Sequence, residues 1–266
     1  MAEDDRAAPK DTPAAAEAVT IERTGAVAVV TLHRPLSRNA MDRALVEQCR
    51  AALLSLDGDD AVRAVLLRGA APGFCAGSDL KFISALALEA MSRFEQECGD
   101  LGRLMAFLSK PIIAAVEGFA IGGGFTLAAC CDYVVAGRTS KWSLPEVPLG
   151  WLTPWGLKAL IARVGPVHAR TLCWCVAPMT GEQAREAGLV DHVCDDGDAE
   201  AEALRIAAQI AALPAPAVAA TKRFFSSYVL KDAETMDYEA NRLFVENCRS
   251  TEARRTFAKF GSAAVA

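Results

Sequence analysis

The run from Ile112 to Cys131 constrains this chain more than any other, because it carries no charge except Glu117 and holds three consecutive glycines, Gly122, Gly123 and Gly124. Its length would suit a membrane helix, and Gly118-x-x-x-Gly122 is a spacing that packs helices in lipid. The residues argue against that. A glycine costs a helix interior about 1 kcal/mol relative to alanine, a carboxylate sits inside the run, and no basic flank follows Asp132. The alternative is a buried strand ending near Glu117, a tight loop over 118–124, and a short buried helix from Phe125 to Cys131.

The same alternation runs upstream. Ala26–His33 is Val-rich and stops at Arg34-Pro35, as a strand does before proline. Met41–Leu56 spaces Leu45, Cys49, Ala52, Leu53 and Leu56 for a helix, and Asp57-Gly58-Asp59-Asp60 supplies a turn. Ala61–Gly69 is a second strand, 73–80 a glycine-bearing loop that leads into helical spacing, Pro111–Glu117 a third strand and Tyr133–Ala136 a fourth. Such alternation with buried strands predicts the α/β class.

Strand signals fade after about Pro148. Thr180-x-x-Gln183 is a capping-box pattern ahead of a short helix that Gly188 stops. Further helices are expected over Ala199–Leu213 and Ala233–Phe260, separated by a proline-rich segment and by 217–230. The organisation expected is a loose tail over 1–18, a core over 19–200 and a helical region over 201–266.

Composition narrows the function classes. With 52% hydrophobic residues and a net charge of -5, the chain has apolar surface to bury and no basic field for nucleic acid or an anionic membrane. Nine cysteines include no Cys-x-x-Cys pair, so zinc is not expected. Their odd number and the acid- and alanine-bearing N-terminus fit free thiols in a cytoplasmic protein.

A glycine triplet between strand and helix exposes N–H groups that attract negative charge. By itself it is equally a packing turn or a phosphate cradle, although no Lys-Ser/Thr follows it as in a P-loop. The loop at 73–80 offers a second such junction, and two N–H donors can converge on one oxygen.

Phe74-Cys-Ala-Gly-Ser-Asp-Leu-Lys81, Ala115-Val-Glu-Gly-Phe-Ala-Ile-Gly-Gly-Gly124, Cys131-Asp132, Ser143-Leu-Pro-Glu-Val-Pro-Leu-Gly150 and Ala184-Arg-Glu-Ala-Gly-Leu-Val190 together resemble the enoyl-CoA hydratase/isomerase (crotonase) family. The resemblance spans roughly Val19 to Phe260. It implies a crotonase-like spiral of repeated ββα units with a C-terminal helical trimerisation region, a homotrimer or hexamer, and an acyl-CoA thioester substrate. Coenzyme A then arrives as part of the substrate, with no separate cofactor or metal.

Carried over residue by residue, the resemblance places the two backbone donors of an oxyanion hole at Ser78 and Gly123. Each such donor lowers an enolate-forming barrier by roughly 3 kcal/mol. It makes Glu146 the proton carrier, flanked by Leu144, Pro145, Val147 and Leu149, which would desolvate it and raise its pKa. The bland alternative is a surface-loop glutamate. Arg34 and Lys81 are assigned to the CoA phosphates, the backbone of Ala76, Ser78, Asp79 and Leu80 to the adenine side, Thr126 and Trp151 to the substrate pocket, and Lys222 to a neighbour's CoA. Ile83, Leu86 and Phe94 either line the acyl pocket or fill core.

One departure stands out: hydratases of the family carry a second glutamate where this chain has Thr126. A single carboxylate suffices to move a proton between C2 and C4, so the expectation is a 3,2-enoyl-CoA isomerase, to which the Gly150–Trp155 segment adds some support, with a structural role for Trp151 and Trp155 as the alternative. Pro154 occupies the place of the extra aspartate of dienoyl-CoA isomerases. The alternatives are an atypical hydratase with water held by Thr126, and a non-catalytic binding or scaffold paralogue.

Overall fold

The computed structural model describes residues 17–175 and 177–261. The chain enters at β1 (Val19–Thr24), which pairs antiparallel with β2 (Val27–Leu32). Then come α1 (Arg43–Asp57), β3 (Ala64–Gly69), α2 (Leu80–Ser84), α3 (Leu88–Phe107), β4 (Ile112–Val116), β5 (Phe119–Ile121) and α4 (Gly123–Ala129). Next are β6 (Tyr133–Gly137), β7 (Lys141–Ser143), α5 (Glu146–Leu149), α6 (Leu157–Val164), α7 (Pro166–Cys173), β8 (Met179–Thr180) and α8 (Gly181–Glu186). The chain closes with β9 (His192–Cys194), α9 (Ala199–Ala211), α10 (Ala215–Val229), α11 (Ala233–Cys248) and α12 (Thr251–Phe260).

Two sheets form. One runs β1-β2-β3-β4-β6-β9 and is parallel from β2 onward; the other is β5-β7-β8. Two turns of the spiral place one strand in the larger sheet, a short one in the smaller, and then a helix: β4-β5-α4, then β6-β7-α5. The Ile112–Cys131 run is thus broken into three elements, and among the described residues no single helix is long and apolar enough to cross a membrane.

Parallel strands need cover on both faces. One face of the larger sheet, with Val30, Leu32, Val65, Leu67, Ile112 and Val134, packs into the main core beneath α1 and α3. The other, with Val27, Val29, Leu66, Ile113 and Val135, is covered by Ala199, Ala203, Ile206 and Ala207 of α9. The boundary expected at 200 therefore cuts α9, which belongs with the spiral core because its apolar stripe completes the sheet's second face.

Other boundaries shift for local reasons. Most of the expected tail lies outside the described residues, but Ala18 is buried, its N–H donating to Gln48 Oε1 at 2.8 Å and its carbonyl accepting from His33 N at 2.7 Å. The expected helix over Ala233–Phe260 is two helices, since the Ser250 side chain accepts from Ala253 N and caps α12. The segment over 217–230 is itself helical, entered through Pro216 in the first turn of α10, where a missing N–H costs nothing. The capping box of Thr180 and Gln183 forms as expected.

Lys222 serves the fold rather than a neighbour's CoA. Its Nζ is buried and donates to Met105 O at 2.8 Å, Lys110 O at 2.9 Å and Asp132 Oδ2 at 2.6 Å, tying α10 to the end of α3 and the start of β6. With every ammonium hydrogen used, none is left for a phosphate. Lys222→Ala leaves a carboxylate and two carbonyls without their donor, so thermal unfolding is expected to report a loss of about 3 kcal/mol, well beyond that from truncating the exposed Lys231.

Candidate functional site

The site begins where two loops meet at backbone contact. The Phe74 N–H donates to Phe119 O at 3.0 Å and the Ile121 N–H to Cys75 O at 3.0 Å, so the 73–78 loop runs alongside β5. A Cβ on Gly124 would stand 2.2 Å from Cys75 O, and one on Gly77 would stand 3.0 Å from Gly123 N. Gly77 (φ +87) and Gly122 (φ +56) also adopt backbone conformations that favour glycine. Gly77 in one loop and Gly122 and Gly124 in the other are therefore required by packing before any chemistry is considered.

This contact orients both expected donors. Met41 N donates to Gly77 O and Asp79 N to Met41 O, each at 2.8 Å, so the intervening Ser78 N–H points away from that ladder, as alternation along an extended segment demands. Gly122 N donates to Ser143 O at 2.9 Å, and Gly123 opens α4, where the first N–H groups have no acceptor within the helix. Ser78 and Gly123 line the same cavity, of about 450 Å³.

Glu146, the first residue of α5, lies across from them. Its Oε1 is 2.9 Å from where a Cβ on Gly122 would stand, so the bare glycine makes room for the carboxyl. The short helix ends at Gly150 (φ +111), and both Gly150 N and Trp151 N return to Glu146 O at 3.0 Å, holding its backbone. Glu146 is 6% exposed. Its Oε2 is buried without a hydrogen-bond partner, as is Thr153 Oγ1. Burial pushes the Glu146 carboxyl up to about 8; the charge of Glu95 adds to the rise, and the nearby Thr153 hydroxyl opposes it without reaching hydrogen-bond geometry.

A second carboxyl enters the cavity from α3. Glu95 is 3% exposed, and its Oε2 accepts from Trp155 Nε1 at 3.0 Å. Burial raises it to about 7, while the Ser78 hydroxyl and the Trp155 indole favour its ionised form. Two acids thus face one apolar-walled cavity together with two backbone donors, an arrangement suited to moving protons beside a carbonyl that becomes an enolate.

A family model, enoyl-CoA hydratase/isomerase, matches residues 22–261. The chain belongs to the enoyl-CoA hydratase/isomerase family. It is 34% identical over 236 residues to a probable enoyl-CoA hydratase of Rhizobium meliloti, covering 86% of this chain and 88% of that one. It is 35% identical over 202 residues to the crotonyl-CoA hydratase of Syntrophomonas wolfei, covering 73% and 75%. Among solved structures, an enoyl-CoA hydratase/isomerase from Mycobacterium paratuberculosis superposes with a TM-score of 0.83 at 26% identity, over 91% of this chain and 98% of that one. One from Xanthobacter autotrophicus superposes at 0.79 and 28%, over 91% and 97%.

Within this family member, Ala76, Ser78, Asp79, Leu80, Lys81, Gly123, Thr126, Glu146 and Trp151 all line the cavity. Arg34 does not. Its guanidinium is held by Asp42 at 2.9 Å and Asp79 at 3.1 Å and reaches the Ala40 carbonyl, so it braces the loop rather than facing a phosphate. Arg38 lines the cavity instead, its guanidinium 4.3 Å above the Phe119 ring. Ile83 is a wall residue, while Phe94 fills core edge-on to Phe82. Trp151 stacks on Phe257 at 4.8 Å. The Thr126 hydroxyl donates to Gly123 O at 3.1 Å, closing on its own helix.

Glu95 escaped the sequence reading because it falls in the buried stripe of α3, with Met91, Phe94, Cys98 and Leu101, outside every glycine-loop motif. A charge in an apolar helical stripe was the available signal.

Both carboxyls bind protons more tightly when folded than their ordinary value of 4.5 allows. Between that value and about 8 the folded chain holds protons that the unfolded chain has released, so their contribution to stability is full below about 4.5 and fades as pH rises. Glu146→Gln removes one such group. The difference in Tm between this variant and the wild type is expected to become more positive from about pH 5 to about pH 8.5.

Proposed function

We propose that this chain adds water across the C2–C3 double bond of a 2-enoyl-CoA by way of the thioester enolate that forms as water bonds to C3. The observation that carries the reading is the facing of the Ser78 and Gly123 N–H groups by the buried Glu146 carboxyl, whose Oε2 has no protein partner. An acid held neutral by desolvation can deliver a proton to carbon, and two fixed dipoles stabilise charge on the thioester oxygen more than on the ground-state carbonyl.

Hydration is preferred to isomerisation for two reasons. The expectation of an isomerase rested on a single carboxylate, and this cavity contains two buried ones, Glu95 and Glu146, besides the Asp79 carboxylate that is paired with Arg34. Relatives covering most of the chain also carry hydratase names. Lys81, Arg38 and the backbone from Ala76 to Leu80 lie on the cavity wall where the CoA moiety would enter. Phe224, Phe225 and Tyr228 on the exposed side of α10 support a homotrimer or hexamer, and sedimentation is expected to give a mass of three or six chains.

The purified protein is expected to consume crotonyl-CoA with loss of the conjugated-thioester absorbance, faster than it converts 3-enoyl-CoA to the 2-enoyl isomer. Glu146→Gln is expected to lower turnover at least about 100-fold while a CoA ester still raises Tm. Isomerisation outrunning hydration would restore the isomerase reading, and ligand-induced stabilisation without turnover would indicate a binding paralogue.

A further inference from the structure

We propose that Glu95, projecting from α3, is the catalytic base that takes the proton of the attacking water, in place of the glutamate that the glycine loop lacks at Thr126. The inference rests on the hydration reading above. It is carried by a side-chain arrangement that core packing does not account for.

Glu95 stands where α3 buries its apolar stripe, with Met91 one turn before and Cys98 one turn after. Burying a carboxyl there costs several kcal/mol unless it is paired, and among the described residues no Lys, Arg or His forms an ion pair with it. Its hydrogen bond comes from Trp155, an indole that can only donate. The scaffold around that indole is built. A Cβ on Gly99 would meet Trp155 Cβ at 3.0 Å, and one on Gly102 would meet the far edge of the ring at 3.4 Å. Two glycines inside α3, each costing about 1 kcal/mol relative to alanine, thus form the groove that seats the indole. The other side of the ring abuts Gly123, whose Cβ would stand 3.1 Å from it. One rigid aromatic side chain therefore sets Glu95 relative to the oxyanion donor.

Thr126 meanwhile is fully buried and turned inward, its hydroxyl on Gly123 O and its Cβ 2.8 Å from where a Gly156 Cβ would lie. Thr126 borders the cavity, and the loop position supplies a hydroxyl in place of a second acid. Glu95 reaches the same cavity from the helix beside it.

The environments of the two acids divide the labour. A donor-only partner favours Glu95 as a carboxylate, whereas the unpartnered Oε2 of Glu146 suits a carboxyl that keeps its proton. The water oxygen bonds to C3 as Glu95 accepts one of its protons. The C2–C3 π pair moves toward the thioester, whose oxygen gains negative charge held by the Ser78 and Gly123 N–H groups. The enolate re-forms the carbonyl as C2 takes the proton of Glu146. One proton has entered Glu95 and one has left Glu146; exchange through solvent returns the pair to its starting state.

The test separates the two half-reactions. Exchange of the C2 protons of butyryl-CoA in deuterated water needs Glu146 and the backbone donors but no attack at C3. Glu95→Gln, which keeps an acceptor for Trp155, is expected to lower crotonyl-CoA hydration about 100-fold or more and butyryl-CoA exchange by no more than about tenfold. Trp155→Phe removes the indole donor together with part of the ring that seats it and is expected to move the acid limb of the hydration profile to higher pH, against a background of the Glu146 carboxyl, the Cys98 and Cys248 thiols and the Ser78 hydroxyl around Glu95. Hydration by Glu95→Gln within tenfold of wild type overturns the inference and leaves the proposed function intact. An equal fall in hydration and exchange reduces Glu95 to a structural role. A wild type that exchanges butyryl-CoA protons but hydrates nothing removes the hydration reading, and the inference with it.

Discussion

Everything at this site depends on two loops touching at their backbones. Cys75 O lies where a side chain on Gly124 would be, and Gly77 lies against Gly123 N. Side chains at those positions would push the loops apart, and the N–H groups of Ser78 and Gly123 would no longer face one cavity. The contact is set by short-strand pairing, Phe74 with Phe119 and Ile121 with Cys75, itself a consequence of the spiral that lays the 73–78 loop along β5. The convergence of these two N–H groups is thus a property of sheet register before it is a property of any side chain.

The second dependency is desolvation. The same packing that makes the backbone donors effective in a low-dielectric pocket penalises ionised carboxyls, and it lifts Glu146 to about 8 and Glu95 to about 7. The charge of Glu95 adds to the cost of ionising Glu146. What separates them is local: an indole donor on Glu95, and an unpartnered oxygen on Glu146.

The remainder of the chain works to keep those distances. α9 covers the sheet face that the core helices leave open, Lys222 ties α10 to the ends of α3 and the start of β6, and the Gly99–Gly102 groove of α3 seats Trp155. Arg34 belongs to this bracing. Held by Asp42 and Asp79, it fixes the approach to Ser78.

The glycine triplet, the second glycine loop and the strand–loop–helix alternation were legible from residues alone, because backbone conformation and hydrophobic period are local properties. They sufficed for the α/β class and for two glycine loops able to converge, whereas Ser78, Gly123 and Glu146 were singled out by the resemblance to the family. Three things were decided only in three dimensions. Periodicity cannot distinguish a helix face turned to core from one turned to a cavity, so spacing by itself did not set Glu95 apart from the stripe of α3 in which it lies. Charge type does not reveal what a cation is paired with, so Arg34 and Lys222 looked free until Asp42, Asp79 and Asp132 were placed beside them. The absence of a glutamate at Thr126 marked one loop as empty, yet a cavity is filled from every element that borders it. Short-range patterns therefore set the backbone of this site, and the count of its carboxyls was set by long-range packing, which brings residues 95 and 146 together across 51 positions of sequence.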